Sequence, residues 1–250
     1  MEKGFIYENR ELTVELYRET LSDFDEVISD IDTYIVDLVY ADPLKDITVA
    51  RAKVKNFISS KDTEGKMGIV SEMMAHILIR KKLGMEHLSL MVSLEDYGFK
   101  KGFDGVYRRN DEVWFGESKS SMRDGYLHKN NVDDALTCFR NKINGTSNNN
   151  PWNNAINHFF CIEKRVRVSD TLRRRISDLS DDFERHIYSN AEEFNVIPIS
   201  TLFVSDSQLF NSLIDDIDEV AKEFATFNKM IVLCIDNELF ARIVAYLEGR

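Results

Sequence analysis

Three side chains in the stretch Gly102 to Ser121, GFDGVYRRNDEVWFGESKSS, have types and spacing suited to phosphodiester chemistry: Asp104, Glu117 and Lys119. The stretch reads as a β-hairpin, with FDGVYRR and VWFGESKS joined by a polar turn at Asn110-Asp111. A two-residue loop there pairs Arg109 with Glu112, Tyr107 with Trp114 and Asp104 with Glu117, and a four-residue loop about the same centre gives the same register. Two carboxylates then stand opposite each other, about 5 Å apart at Cβ, where like charges repel. Strand alternation puts Lys119 on the face of Glu117 and turns Ser118 away. A divalent cation relieves such a cluster. Hard Mg²⁺ (or Mn²⁺) suits two carboxylates, water and a substrate phosphate, and the lysine would stabilise developing negative charge or orient the attacking water. Both side chains are expected to face a polar cleft, so that Glu117→Ala or Lys119→Ala removes activity and leaves the fold largely intact.

As a string, an acid followed two residues later by lysine has little specificity. Glu64-Gly65-Lys66 repeats it, but leads into a helix and has no paired strand with an acid opposite. The competing reading of the hairpin is a solvated face of mixed charge.

The elements that must position these residues come next. Lys66 to Leu83 is strongly apolar and predicts a helix stopped by Gly84. Glu72 and His76 lie four apart on one face of it, and HLSLMVSL then reads as a strand. After Lys119, SSMRDGYLHK is a polar connection and NNVDDALTCFRNKI a helix. Arg123, His128 and Lys129 fall near the scissile phosphate if the site is right, with ordinary surface loop residues as the alternative. Residues 144–154 read as a low-complexity loop, and AINHFFCIEKRVRV as a strand or a buried helix. SDTLRRRISDLSDDFERHIY is helical, with Leu172, Ile176, Leu179, Phe183 and Ile187 inward. Its Arg173-Arg174-Arg175 run is a candidate DNA contact or a solvated face. NVIPISTLFVSD and KMIVLCID read as core strands, each followed by a helix (SQLFNSLIDDIDEVAKEFATF and NELFARIVAYLEG). Towards the N-terminus, ELTVELYRE predicts a strand, SDFDEVISDIDTYIVDLVYA an amphipathic helix capped by Ser22 or Asp23, and ITVARAKVKNFISS another helix.

The hairpin and its flanks resemble the PD-(D/E)xK nuclease superfamily, with Asp104 as the first acid, Glu117-Ser118-Lys119 as the E-x-K, and Phe103 in place of the nominal proline. Among such nucleases the chain is similar to the HamA-type proteins of the Hachiman anti-phage defence system. That resemblance is carried by GIVSEMMAHILI, FDGVY, VWFGESKS and the DDAL helix in that order, over about residues 60 to 145. It implies an α/β fold with a restriction-endonuclease-like core: a mixed sheet with the D and ExK hairpin flanked by helices, a helical N-terminal elaboration and a βαβα C-terminal one. It promotes Glu72 to a supporting metal ligand beside Asp104 and Glu117. It also implies a superfamily 2 helicase partner (HamB-like) and action on DNA with little sequence specificity.

A chain of 250 residues with 43% hydrophobic and 30% charged side chains accommodates one such domain, divided at about residues 60 and 145. Cys138, Cys161 and Cys234 are odd in number and lack C-x-x-C spacing, which argues for reduced thiols in a cytoplasm. No apolar run reaches membrane-spanning length. The net charge of −11 is uneven: residues 51–175 carry 23 basic and 15 acidic groups, against 4 and 13 before them and 5 and 15 after. The basic segment therefore surrounds the hairpin, as a phosphate-binding site requires. Two functions remain open, a metal-dependent DNA nuclease and a non-catalytic scaffold that keeps the fold and docks a helicase.

Overall fold

The computed structural model describes residues 2–7, 10–40, 42, 44–91, 102–147, 149–163, 166–203 and 226–249. Among these residues, seven strands form one mixed sheet in the order β1-β2-β7-β6-β5-β4-β3. They are β1 (Glu2–Tyr7), β2 (Arg10–Glu19), β3 (Glu86–His87), β4 (Gly105–Arg109), β5 (Glu112–Ser121), β6 (Asn195–Leu202) and β7 (Lys229–Asn237). The α-helices among the described residues are α1 (Phe24–Val39), α2 (Ile47–Ser59), α3 (Thr63–Leu83), α4 (His128–Ile143), α5 (Pro151–Ile162), α6 (Asp170–Glu184) and α7 (Phe240–Glu248). The order α3-β3-β4-β5-α4, then β6, is the one expected for the core, and the class is α/β.

The sheet is antiparallel at its edges and parallel at its centre. β4 pairs antiparallel with β5, while β5, β6, β7 and β2 run parallel. Central strands covered on both sides read as continuous apolar runs, and every residue of β6 is buried. Two cores lie on the two faces. One joins α1, α2, α3 and α7 to Tyr107, Trp114, Ile197 and Ile231; the other joins α4, α5 and α6 to Val106, Phe115, Val196 and Val232. Alternation along β5 thus sends Trp114 to the α3 face and Phe115 to the α4 face.

Local chemistry sets the helix ends. Asp62 caps α3, accepting from the Gly65 N–H at 2.8 Å, which starts the helix three residues before the expected Lys66. Gly84 closes it at φ 63°, a left-handed conformation that glycine adopts without steric cost. Asn150 caps α5 by accepting from Trp152, with Pro151 at the first helical position. The ambiguous AINHFF segment is therefore helix, and the low-complexity stretch ends at Asn150 rather than Asn154.

Several expectations are corrected. HLSL forms a ladder only at Glu86–His87; Leu88 N–H still donates to Val106 O, but Ser89 then meets the Val106 N–H with its side-chain Oγ, Leu90 N–H donates to the His158 ring and Met91 N–H to Leu38 O. Residues 92–94 of that expected strand lie outside the described residues, as does most of the helix expected over 207–227. Ile187 is 58% exposed, beyond the end of α6, instead of inward. The expected strand ELTVELYRE is β2, which joins β7 directly, and β1 is a further strand ahead of it in an N-terminal segment expected to be mainly helical.

Candidate active site

The hairpin adopts the expected register: Arg109 opposes Glu112, Tyr107 opposes Trp114 and Gly105 opposes Gly116. Asn110 carries the turn at φ 56°, a conformation its short polar side chain tolerates. Asp104, one residue before β4, is in line with Glu117 across the hairpin, and its Oδ2 accepts the Ser118 backbone N–H at 2.9 Å. Glu117 and Lys119 share the α4 face with Phe115. Ser118 points to the α3 face, where its hydroxyl meets Ser71 at 2.9 Å. The structure thus brings Asp104, Glu117 and Lys119 together.

The sheet is also loosened here. Glu117 pairs with Pro198 of β6, which has no N–H to give a ladder, and the β6–β7 pairing skips Ile197 and Pro198.

Glu117 is not in an open cleft. It is 2% exposed, and both its oxygens accept from Lys142 Nζ, at 2.5 and 2.7 Å. Burial pushes its carboxyl up, the Asp104 charge adds to this, and Lys142 and Lys119 oppose it. Burial disfavours the Lys142 ammonium, but Glu117 and then Asp104 hold it charged. One ammonium shared by both oxygens of a carboxylate is ion-pair geometry. Lys142 is the residue the sequence did not reveal: it stands on the last turn of α4, 25 positions from Glu117, and only tertiary packing unites them. Its sole signal is that α4 turns its buried residues, among them Leu136 and Phe139, towards β5 and β6. One turn earlier, burial and then Glu117 raise the Cys138 thiol.

The α3 face carries a second polar group. Tyr107 lies flat against the hairpin, so a Cβ on Gly105 would stand 2.3 Å from its hydroxyl, and one on Gly116 would stand 2.9 Å from its ring. These two glycines give the ring its place. Its hydroxyl bonds to His76 Nδ1 at 2.6 Å, and it stacks on His87 with centroids 5.3 Å apart. Burial, followed by the charges of Asp104, Glu72 and Glu117, raises the Tyr107 hydroxyl well above its ordinary value. The fields of all three candidate acids therefore reach one phenol. Glu72 itself is half-buried on α3, the helix that packs on the Tyr107 face of the sheet. Among the described residues, no group of three or more His, Cys, Asp or Glu is arranged to hold a metal ion.

The candidate DNA contacts separate. Arg123 is exposed on the loop after β5, its guanidinium 5.9 Å from the Tyr126 ring, and Lys129 is half-buried at the start of α4. His128 is 1% exposed, with Nδ1 2.7 Å from Ser200 Oγ and Nε2 3.0 Å from Asp236 Oδ1. It points inward instead of towards a phosphate. This Ser–His–Asp chain has the connectivity of a hydrolytic triad, but all three members are buried, so it ties α4 to β6 and β7. Arg173 is engaged with Glu163 at 2.7 Å and with Val168 O, and Arg174 is exposed. Their neighbour Arg175 lines a pocket with Asp111 and Glu112 at the hairpin tip. The tip is five strand residues from Glu117, about 17 Å, so this run is at the other end of β5 from the acids.

No helix among the described residues is long and apolar enough to cross a membrane. A family model for HamA matches residues 8–247 of the chain. No curated protein matches it.

Proposed function

Because the chain belongs to the HamA family, and so to a component of the Hachiman anti-phage defence, we propose that it is the nuclease subunit of that system, a metal-dependent DNA phosphodiesterase of the PD-(D/E)xK kind held by a superfamily 2 helicase. The observation that carries this reading is the opposition of Asp104 and Glu117 across a hairpin, with Lys119 on the same strand face. Two carboxylates placed so repel each other, and a divalent cation bound between them would relieve that repulsion.

The donor set fits Mg²⁺ or Mn²⁺. Magnesium is commonly held by one or two carboxylates, with water and substrate phosphate filling the remaining positions, rather than by an all-protein cage. Asp104 and Glu117 would hold it, with Glu72 of α3 as the supporting acid that the resemblance implies. Such an ion supplies an activated water and polarises the phosphoryl oxygens. Lys119 presents a fixed positive charge to the phosphate that reacts, a kind of contribution worth about 10²–10³ in rate. Binding to DNA would draw on the basic segment, Arg123 and Lys129 being the candidate contacts nearest the strand end, and would be independent of sequence.

The scaffold reading is favoured by one observation: in this structure Glu117 is already neutralised by Lys142. Digestion of plasmid, linear and single-stranded DNA separates the two. It is run with Mg²⁺, Mn²⁺ or EDTA, with and without the helicase. A nuclease cuts in a metal-dependent way and loses that cutting in Glu117→Gln, Asp104→Asn and Lys119→Met. Cleavage at the wild-type rate by both acid variants would remove the hairpin as the active site. No cleavage by the wild-type complex on any substrate would leave the scaffold.

A further inference from the structure

The Glu117–Lys142 pair differs from an ordinary surface salt bridge in burial and in what it occupies. The two side chains are 3% and 14% exposed, and a single ammonium takes both carboxylate oxygens. Asp104 commits one oxygen to the Ser118 N–H. Asp104, Glu117, Lys119 and Lys142 thus bring two acidic and two basic side chains to one place, and their formal charges cancel. A dication entering a neutral, largely dry cluster gains little from it, because the attraction of the acids is matched by repulsion from the lysines. One lysine has to withdraw. Lys142 is the one lying on the oxygens a metal would need, and its four-carbon stem and compact ammonium can move away without a change of backbone.

We propose that Lys142 is the resident cation of this site: it holds Glu117 when no metal is bound, and a divalent cation binds Asp104 and Glu117 only by displacing it. The proposal rests on the metal-dependent reading of the site. Lys142 keeps the metal-free carboxylate from being buried without a counter-charge, and raises the metal concentration the site needs. A phosphodiester near the site offers the displaced ammonium another anion, so nucleic acid and metal should favour each other's binding.

The test is metal affinity of the full chain, read without reference to cleavage. Mn²⁺ and Mg²⁺ are titrated calorimetrically into EDTA-treated wild type, Lys142→Met, Lys142→Gln and Glu117→Gln in mildly alkaline buffer, and melting temperatures are taken with and without metal. Competition predicts that Lys142→Met binds Mn²⁺ at least tenfold more tightly than wild type and gains more in melting temperature from the metal. Glu117→Gln should lose most of the binding. If Lys142→Met does not fold, Lys142→Gln carries the same comparison, since its amide still donates to Glu117 without the charge. Equal or weaker binding by the Lys142 variants, with wild type binding metal through Glu117, would overturn the proposal and leave the metal site standing. Absence of binding in every form, or binding undiminished in Glu117→Gln, would remove the metal site and this proposal with it.

Discussion

Removing both partners of the Glu117–Lys142 pair should cost much less stability than the two single removals added together. Glu117→Ala leaves the Lys142 ammonium in a site where only 14% of its side chain meets solvent, with Asp104 the remaining acid in its field. Breaking a buried pair in this way typically costs about 3–5 kcal/mol, because the surviving charge keeps its desolvation penalty and loses its compensation. Lys142→Ala strands Glu117 in the same way, beside a second carboxylate. The double variant removes both charges, so its cost should fall about 2–4 kcal/mol short of the sum of the singles. The sequence-based expectation that Glu117→Ala leaves the fold largely intact is thereby replaced. Chemical denaturation in EDTA, at one pH and one salt concentration, gives the four stabilities of the cycle. A coupling energy under about 0.5 kcal/mol, the usual limit of additivity, would refute the reasoning. It would mean that the pair is solvated and separable, like the surface ion pairs that contribute almost nothing.

Three further outcomes follow from the same contacts. Gly105→Ala should destabilise by about 1–3 kcal/mol as an overpacked core does, since its Cβ would meet Tyr107 at 2.3 Å; Tyr107→Ala in the same chain should recover part of the Gly105→Ala loss when compared with Tyr107→Ala alone, measured by urea unfolding. Glu19 is buried, and that burial raises its carboxyl to about 7, so the folded state binds its proton more tightly than the unfolded chain does. The stability this confers is complete below about pH 4.5 and is lost as pH rises towards about 7, a change on the order of 3 kcal/mol; Glu19→Gln, which can still accept from Asn237, should flatten the pH profile of unfolding over that window. His128→Ala should lower stability by about 1–3 kcal/mol by removing the buried link between Ser200, which keeps Asn131, and Asp236, yet leave the salt dependence of DNA binding unchanged; a slope reduced by about one would restore His128 as a phosphate contact.

What the sequence determined by itself is what short-range rules control. The period of two along Val113 to Ser121, closed by a polar turn at Asn110-Asp111, was enough to place Arg109 opposite Glu112 and hence Asp104 in line with Glu117, because one register satisfies both the turn and the apolar faces. The apolar period of α3 and the glycine after it were legible for the same reason. What faces these elements was not. Lys142, His128, Arg123 and Lys129 are alike to any local rule, being basic residues in or beside one helix. Which is buried depends on how α4 rolls against β5, β6 and β7, and that is set by side chains such as Phe139, Phe194 and Phe227 that meet only in the folded chain. The same packing turned the backbone after Leu88 away from its expected ladder and gave Glu117 a buried lysine partner. A charge read from sequence has a sign but no dielectric surroundings. Tertiary structure alone decided whether Glu117 stood in water or against Lys142, because burial is a property of every element that packs around a residue and of none that contains it.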